Sequence, residues 1–269
     1  MKPIRYSIWD PTGNITALVE SAVEPSERAE IASALMRRFP EAEQVGFVCF
    51  DDPGEPRLDM TGGEFCGNAS MCAAALYLLR EKPQSDRVRI SVSGTSKPVT
   101  VSLNQTSDGS FDAAVSMPPA KSIERLDFTF AERSETLPVV RMEGVDHIII
   151  RSSSPFFTLL EDRNSAEKAV REWRRQLASP CLGLMFVDEQ SGGTALTPLV
   201  YVPGSQTIFW ENSCASGTAA AGMVFAEEKG QPVEMPLREP GGVLRVKSDP
   251  LSGETLLYGS CRLRSEGML

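Results

Sequence analysis

Two stretches of the chain place small or apolar residues on every face of a predicted helix, and both begin with a cysteine. The first runs from Cys66 to Leu79 and the second from Cys214 to Phe225. In each, a Ser or Thr follows four residues after the cysteine, and then an alanine-rich run leads to charged residues and a proline. A helix without a polar face is normally buried. The pattern therefore predicts two central helices, one in each half of the chain.

Short β-branched or alternating runs flank both stretches and predict strands. These runs are 44–50, 88–93, 98–103 and 111–117 in the first half, and 147–150, 183–187, 242–247 and 255–260 in the second. Asp108-Gly109 and Ser252-Gly253 suit the turns of hairpins. The amphipathic segments 27–39 and 166–177 predict helices on the outside of the molecule.

The spacing of the two cysteine segments indicates the domain organisation. Cys66 and Cys214 are 148 positions apart in a chain of 269 residues. This period favours two pseudo-repeated domains over a solenoid of short repeats. We predict an α/β (α+β) fold with a sheet around each central helix. The predicted boundary is Pro118-Pro119, which gives domains 1–119 and 120–269, and the last strand is free to return to the first domain.

Charge and composition exclude several classes of function. The chain has 27 Lys and Arg against 36 Asp and Glu, a net charge of -9. This is the wrong sign for a nucleic-acid or anionic lipid partner. No apolar core of a signal peptide and no membrane-length apolar run occurs. We therefore expect a cytoplasmic protein with no nucleic-acid or membrane partner. Its oligomeric state is open, a homodimer included.

The two leading cysteines are candidates for chemistry because each stands at a predicted helix N-terminus. Unpaired N–H groups and the helix dipole favour an anion there, so we expect a lowered thiol pKa. The small residues Gly67-Asn68 and Ala215-Ser216-Gly217 allow a ligand to approach these N–H groups closely. Two such helix starts facing each other would form a carboxylate cradle flanked by two thiols.

This arrangement fits an amino-acid racemase that uses two bases and no cofactor. One sulfur removes the α-proton, and the other delivers a proton to the opposite face. The helix N-termini stabilise the charge that develops on the carboxylate. No lysine has a comparable setting, so pyridoxal phosphate is not expected. A metal site is not expected either, because there is no C-x-x-C and only one histidine, His147.

The remaining cysteines and His147 are interpreted as structural. Cysteine is among the most buried residue types, so Cys49, Cys181 and Cys261 are assigned to packing. Cys72 lies six positions after Cys66, a rotation of about 240° around a helix, and should face the core. His147 heads an isoleucine run, which favours a structural role over that of a general base.

Four motifs resemble those of the cofactor-independent diaminopimelate epimerase superfamily. Glu64-Phe65-Cys66-Gly67-Asn68-Ala69 and 211–218 resemble its two cysteine motifs, 10–14 its glycine-asparagine signature, and 240–242 its late glycine pair. The resemblance covers nearly the whole chain. It implies two pseudo-symmetric domains, each a β-barrel-like sheet around a central helix, with the active site in the cleft between them. It also implies that Asn14 lines this site.

Departures from the superfamily pattern disfavour diaminopimelate as the substrate. Those epimerases hold the distal end of diaminopimelate with several asparagines and with an arginine shortly before the second cysteine. The segment 204–210 has no arginine, Val145-Asp146-His147 stands where the superfamily reads Asn-Pro-His, and Gly183 stands at another asparagine position. A buried carboxylate without a partner is costly. The sequence therefore predicts rejection of a substrate with a second carboxylate.

A closer resemblance is to the histidine racemases of staphylopine-type opine metallophore pathways. It rests on the strings Glu43–Phe47, Glu64–Ala69 and Trp210–Cys214. It implies conversion of L-histidine to D-histidine for a downstream opine synthase, with Cys66 and Cys214 as the acid/base pair. Which cysteine acts on which enantiomer is open.

The remaining site residues follow from the same hypothesis. Glu43 could pair with an imidazolium, although an ordinary solvated glutamate is the alternative. Other groups would hold the α-carboxylate and the amino group. The residues assigned to the carboxylate are Gly67, Asn68, Ala69, Ala215 and Ser216, and those assigned to the amino group are Asn14, Asn68 and Glu211.

Two other functions stay open. One is a racemase for another basic or aromatic amino acid. The other is a different isomerase or a non-catalytic binding module with the same fold. The presence of both cysteines disfavours the binding module.

Overall fold

The computed structural model describes residues 3–51, 55–190 and 192–269. The α-helices are Arg28–Arg38 (α1), Gly67–Glu81 (α2), Arg163–Leu177 (α3) and Ala215–Lys229 (α4). The strands are Arg5–Pro11 (β1), Thr16–Val19 (β2), Gln44–Cys49 (β3), Arg57–Met60 (β4), Arg87–Val92 (β5), Val99–Gln105 (β6), Phe111–Ser116 (β7), Ser122–Phe130 (β8), Arg133–Arg141 (β9), Asp146–Arg151 (β10), Leu182–Gln190 (β11), Gly193–Val202 (β12), Thr207–Trp210 (β13), Val233–Glu239 (β14), Gly242–Ser248 (β15) and Thr255–Met268 (β16). Short 3-10 helices cover Pro25–Glu27 and Pro155–Glu161.

The first half of the chain forms a barrel of eight strands. These strands pair in the order β1-β2-β3-β4-β5-β6-β7-β16, and pairing of β1 with β16 closes the ring. Helix α2 packs against β1, β2, β5, β6, β7 and β16. Its residues from Gly67 to Tyr77 are all buried, as expected for a helix made of small and apolar residues. The predicted central helix is confirmed.

The second half repeats this plan with an open sheet. From β16 the sheet continues through β15, β14, β12, β11, β10, β9 and β8, and β13 pairs with β12. Helix α4 packs against β9, β10, β11, β14, β15 and β16, and every residue from Ala215 to Ala226 is buried. Within the described ranges, β8 pairs only with β9, so this sheet does not close. The predicted fold class, two barrel-like sheets around central helices, is confirmed.

Strand β16 belongs to both sheets. Its residues Thr255 to Tyr258 pair with β15, Leu256 to Cys261 pair with β7, and Cys261 to Met268 pair with β1. The last strand therefore ties the end of the chain to its beginning. The loop between β7 and β8 contains Pro118-Pro119, and the domain division at this point stays a prediction.

The two amphipathic helices lie outside the sheets, as predicted. Helix α3 covers one face of the second sheet, where Trp173 is fully buried against Phe128 and Phe156. Helix α1 covers a separate small core through Ile31 and Leu35. Burying such side chains stabilises the fold by about 1.5–3 kcal/mol each, so both helices are held mainly by packing.

Both predicted hairpins are confirmed. Asp108-Gly109 joins the antiparallel strands β6 and β7, and Ser252-Gly253 joins β15 and β16. Gly109 and Gly253 have φ of 84° and 73°, a conformation that glycine adopts without strain. None of the helices in the described part of the chain is long and apolar enough to cross a membrane.

Candidate active site

A cavity lies where the N-termini of α2 and α4 meet. Eight residues predicted from the sequence line it. They are Asn14, Cys66, Gly67, Asn68, Glu211, Cys214, Ala215 and Ser216. Seven residues that were not predicted as site residues also line it. They are Gln44, Glu64, Phe65, Val145, Cys181, Val200 and Val202.

Each of the two cysteines occupies the N-cap position of its helix. Cys66 and Cys214 have nearly identical extended backbones, with φ of -132° and -130°. A Cβ atom placed on Gly67 would lie only 2.8 Å from the Cβ of Ala215. The first turns of α2 and α4 are therefore in contact, and both thiols open onto the same cavity. The sequence predicted this meeting of two helix starts.

Hydrogen bonds hold the thiol of Cys66 in place. The Ala69 N–H donates to its sulfur at 3.4 Å, and the thiol donates to Gln44 Oε1 at 3.1 Å. The amide of Gln44 also donates to Asn14 Oδ1 and to Thr16 Oγ1. Ala69 therefore contacts the sulfur rather than the cavity.

Cys214 lies between two carboxyl groups. Its backbone N–H donates to Glu239 Oε2 at 2.6 Å, and Glu239 also accepts from the hydroxyl of Thr218. The carboxyl group of Glu211 is a second acidic neighbour of the Cys214 thiol. Its sulfur also lies 3.7 Å from Ser216 Oγ. Glu211 and Glu239 are therefore the acidic neighbours of Cys214.

The expected lowering of the thiol pKa is not found in the structure. Burial raises the pKa of Cys66 to about 12, and the negative charges of Glu211 and Glu64 add to this effect. Burial also raises the pKa of Cys214 well above its usual value, again with Glu211 contributing. Removing a thiolate from water outweighs the favourable field of a helix N-terminus here. Both sulfurs are therefore thiols at neutral pH in this structure.

Acidic side chains dominate the electrostatics of the site. Burial raises the pKa of Glu43, Glu64 and Glu211, and it raises that of Glu239 to about 8. No Lys or Arg is among the described residues that line the cavity. The site therefore favours cationic groups of a ligand and disfavours a second carboxylate, as the missing arginine in 204–210 led us to expect.

Glu43 lies beside this cavity rather than in its wall. Its carboxylate accepts from Asn14 Nδ2 at 2.5 Å, from the Asn212 N–H at 3.3 Å and from Asn212 Nδ2 at 2.5 Å. It lines a neighbouring cleft together with Glu64 and Glu211. Its acceptor capacity is largely used by the two asparagines. These contacts do not support the interpretation of Glu43 as a direct partner of an imidazolium.

Asn68 joins the two halves of the site. Its Nδ2 donates to the carbonyl oxygen of Ser213 at 3.0 Å and to Ser213 Oγ at 3.2 Å. The Ser213 hydroxyl in turn donates to the carbonyl oxygen of Pro11. These bonds connect the start of α2 to the residue before Cys214 and to β1. Asn68 is therefore a bridge between the two cysteine segments.

His147 and Gly183 explain part of the departure from the diaminopimelate epimerase pattern. His147 is completely buried, and burial lowers its pKa to about 4, so the ring is neutral. A Cβ atom on Gly183 would lie 2.4 Å from His147 Nδ1. An asparagine at position 183 would collide with this ring. The structural role predicted for His147 agrees with its position in the core.

The other cysteines divide into three settings. Cys72 and Cys261 are buried neighbours in the barrel, as predicted for packing residues. Cys181 is also buried, but it lines the cavity, where burial raises its pKa to about 12. Cys49 is exposed, so its assignment to packing was wrong.

Three residues that the sequence reasoning missed stand next to the motifs it used. Gln44 follows Glu43, Glu64 precedes Cys66 by two positions, and Glu239 precedes the glycine pair at 241–242. Polar residues inside or directly before a recognised motif were thus the available signal. Within the described ranges, no group of three or more His, Cys, Asp or Glu side chains is arranged to hold a metal ion.

Glu239 is expected to make folding stability fall as the pH rises from about 5 to 8. Its pKa is about 8 in the folded protein against 4.5 ordinarily, so over this range the folded state keeps a proton that the unfolded state releases. One such proton changes the free energy of unfolding by up to about 1.4 kcal/mol per pH unit. Glu239→Gln keeps neutral hydrogen-bonding atoms near Cys214 and Thr218 and removes this titration.

Urea unfolding of both proteins at pH 5, 6, 7 and 8 measures the difference. We expect the stability of the wild type relative to Glu239→Gln to decline steadily with pH. The other carboxyl groups with raised pKa values, and His147, are present in both proteins. Their contributions to the pH dependence of stability therefore largely cancel in the comparison. Parallel stability curves would show that Glu239 is ionised throughout this range.

A family model described as the histidine racemase CntK N-terminal domain matches residues 3–262. The chain belongs to this histidine racemase family. A histidine racemase from Staphylococcus aureus is 31% identical over 252 residues, covering 91% of this chain and 88% of that protein. One from Fusobacterium nucleatum is 32% identical over 222 residues, covering 79% of this chain and 77% of that protein.

Solved structures of other racemases share the fold of this histidine racemase family member. A probable proline racemase from Agrobacterium radiobacter superposes with a TM-score of 0.71 at 11% identity, over 99% of this chain and 92% of that one. At this identity the likeness concerns the fold alone. Together with the two relatives, the family match identifies this protein as an amino-acid racemase, an isomerase whose substrate is a small molecule.

Proposed function

We propose that the enzyme interconverts L-histidine and D-histidine, with Cys66 and Cys214 as its two acid/base residues. The observation that carries this proposal is that both thiols, each at the N-cap of a central helix, line one cavity. The acidic character of that cavity supports a substrate with a cationic side chain. The names of the two relatives support histidine in particular.

In the proposed mechanism, the first turns of α2 and α4 bind the α-carboxylate of the substrate. The N–H groups of Gly67, Asn68, Ala215 and Ser216 belong to the set that a helix leaves without an intrahelical partner. As the Cα–H bond breaks, negative charge spreads onto this carboxylate, and these N–H groups stabilise it. Ala69 is excluded from this role because its N–H donates to the Cys66 sulfur.

The substrate ammonium supplies the positive charge that the thiols lack. Glu211 lines the cavity beside Cys214, and Asn14 lies near Cys66 through Gln44. We assign the ammonium to these two residues. A cation close to a buried thiol favours its thiolate, so one of the two thiols releases its proton to solvent as the substrate binds. One sulfur then takes the α-proton as the other gives its proton to the opposite face, and the two sulfurs exchange protonation states in each turnover.

Glu43 has a positioning role in this proposal. Its carboxylate joins Asn14, which lines the cavity, to Asn212, which lies two residues before Cys214. It therefore holds parts of both halves of the site in register. The earlier assignment to substrate binding becomes an indirect one.

Incubation with L-histidine in heavy water tests the proposal. We expect D-histidine to form with deuterium at Cα from the first turnover, while unreacted L-histidine at early times keeps its hydrogen. This pattern follows because separate bases serve the two faces. Chiral chromatography with mass detection follows both pools. Lack of exchange with histidine, while another amino acid exchanges, would contradict the substrate assignment; lack of exchange with every amino acid would contradict the proposed chemistry.

We further propose that the racemase acts in the cytoplasm and supplies D-histidine to an opine synthase. Whether it works as a homodimer is a separate question, which sedimentation at several protein concentrations answers. Neither point bears on the arrangement of the two thiols, because both thiols come from the same chain.

A further inference from the structure

Glu64 is a carboxylate in the cavity wall whose oxygens the protein itself does not fully use. Its Oε2 atom is buried and has no hydrogen-bond partner among the described residues. In contrast, Glu43 accepts from Asn14 and Asn212, and Glu239 accepts from Cys214 and Thr218. A buried acceptor left without a donor destabilises the protein. A ligand that brings a donor would recover this energy.

The backbone around Glu64 is fixed. The hydroxyl of Ser93 donates to the Glu64 carbonyl oxygen at 2.9 Å and accepts from the Met60 N–H at 2.9 Å. A Cβ atom on Gly62 would lie 2.5 Å from Glu64 Oε2, so the glycine leaves room for the carboxylate at this place. Only one residue, Phe65, separates Glu64 from Cys66. Its side chain is therefore held close to the reacting thiol.

Apolar side chains line part of the cavity that contains Glu64. Val145, Val200 and Val202 line the same cavity, and so does the thiol of Cys181, whose pKa Glu64 helps to raise. Burial likewise raises the pKa of Glu64 itself, and backbone N–H groups of Glu64 and Gly62 offset part of this effect. An unpaired carboxylate oxygen next to apolar side chains suits a flat ring that carries an N–H. It suits neither an aliphatic chain nor a second carboxylate.

We propose that Glu64 is the specificity-determining residue, which accepts the imidazole N–H of the substrate while the three valines pack against the ring. This inference rests on the function proposed above. It assigns separate roles to these residues. Glu211 and Asn14 bind the ammonium group common to all amino acids, and Glu64 recognises the imidazole side chain. The ring and the carboxyl group share one proton, so the pair is neutral whether it is carboxylate with imidazolium or carboxylic acid with imidazole.

The test compares two substrates of similar shape. 3-(2-Thienyl)-L-alanine has a flat five-membered aromatic ring like histidine, but it has no N–H to donate. Exchange of the α-hydrogen in heavy water gives kcat and KM for each substrate. For the wild type we expect kcat/KM for histidine to exceed that for thienylalanine by about 100-fold or more, because the acceptor stays unpaired with the second substrate.

Glu64→Gln should weaken this discrimination, because a neutral amide oxygen accepts the imidazole N–H less strongly than a carboxylate does. A hydrogen bond to a charged group contributes about 10- to 100-fold in affinity, so kcat/KM for histidine should fall by this factor, mainly through KM. Exchange of thienylalanine should be unchanged or faster, which also shows that the variant is folded. Glu30→Gln, which alters an exposed glutamate on α1, is the matched control and should behave as the wild type.

Three results would overturn the inference. One is equal kcat/KM of the wild type for the two substrates, a measurement that needs no variant. Another is a Glu64→Gln variant that keeps the wild-type preference for histidine. The third is equal loss on both substrates, which would indicate a role in shaping the site. If the wild type exchanges the α-hydrogen of histidine, any of these three results contradicts only the role of Glu64, and the proposed function is retained. If the wild type exchanges no histidine, both the proposed function and this inference are refuted.

Discussion

Replacement of Cys66 or Cys214 by serine is expected to lower kcat/KM for racemisation by about 100- to 10,000-fold, the contribution typical of a positioned acid or base. A serine hydroxyl occupies the same place at the helix N-terminus but gives up its proton far less readily. Because racemisation needs both sulfurs in the same turnover, the double variant should be little worse than either single variant. Chiral chromatography of product formed from L-histidine and from D-histidine measures the effect in both directions.

The single variants also decide which sulfur faces which enantiomer. If Cys66→Ser loses racemisation but still exchanges the α-hydrogen of one enantiomer, Cys214 is the base for that enantiomer. Cys49→Ser is the matched control, because Cys49 is an exposed thiol on β3 and should leave the rate unchanged. Near-normal racemisation by either active-site variant would contradict the two-thiol mechanism.

The helical core was predictable because its signal is local. Alanine-rich runs after Cys66 and Cys214 have no polar face, so they fit only the inside of a sheet. Closure of the first barrel was not predictable from such patterns. It depends on pairing of β1 with β16 across almost the whole chain, and no local periodicity encodes which edges meet.

The β8–β9 hairpin escaped the sequence analysis for a physical reason. Its connecting residues Ala131 and Glu132 both have positive φ, 46° and 64°. Such a two-residue turn usually contains Asn or Gly, and neither is present. Here the strands β8 and β9 pair along their whole length, from Ser122 with Arg141 to Phe130 with Arg133. This long pairing stabilises the tight turn although its residues are less suited to positive φ.

The same distinction applies to the site. The two cysteines could be found from the sequence because the chain repeats their small-residue context. The pKa prediction was wrong because it counted the helix N-terminus and not the burial, which is set by residues far away in sequence. Glu43 and Glu64 both belong to sequence motifs that resemble those of histidine racemases. Only the hydrogen bonds in the structure show that Glu43 is paired and that Glu64 has an unpaired carboxylate oxygen.

Gly67→Ala is expected to lower kcat/KM by about 100-fold while changing the melting temperature only slightly. The added Cβ would lie 2.8 Å from the Cβ of Ala215, well inside normal contact, so the two helix starts must move apart. A misplacement of about 1 Å at a reacting centre costs a factor of this size. Alanine is also the better helix former by up to about 1 kcal/mol, which offsets part of the strain.

The double variant Gly67→Ala, Ala215→Gly separates the contact from other effects of the methyl group. It moves the methyl from α4 to α2 and leaves the summed volume at the contact the same. If the distance between the helix starts controls catalysis, this variant should recover most of the activity lost in Gly67→Ala. If it stays as inactive as Gly67→Ala while its melting temperature is normal, the new methyl acts by blocking the carboxylate from the α2 N–H groups. Kinetics and thermal melting of the single and double variants, measured side by side, therefore determine whether the close contact of α2 with α4 sets the gap that the substrate's Cα must fit.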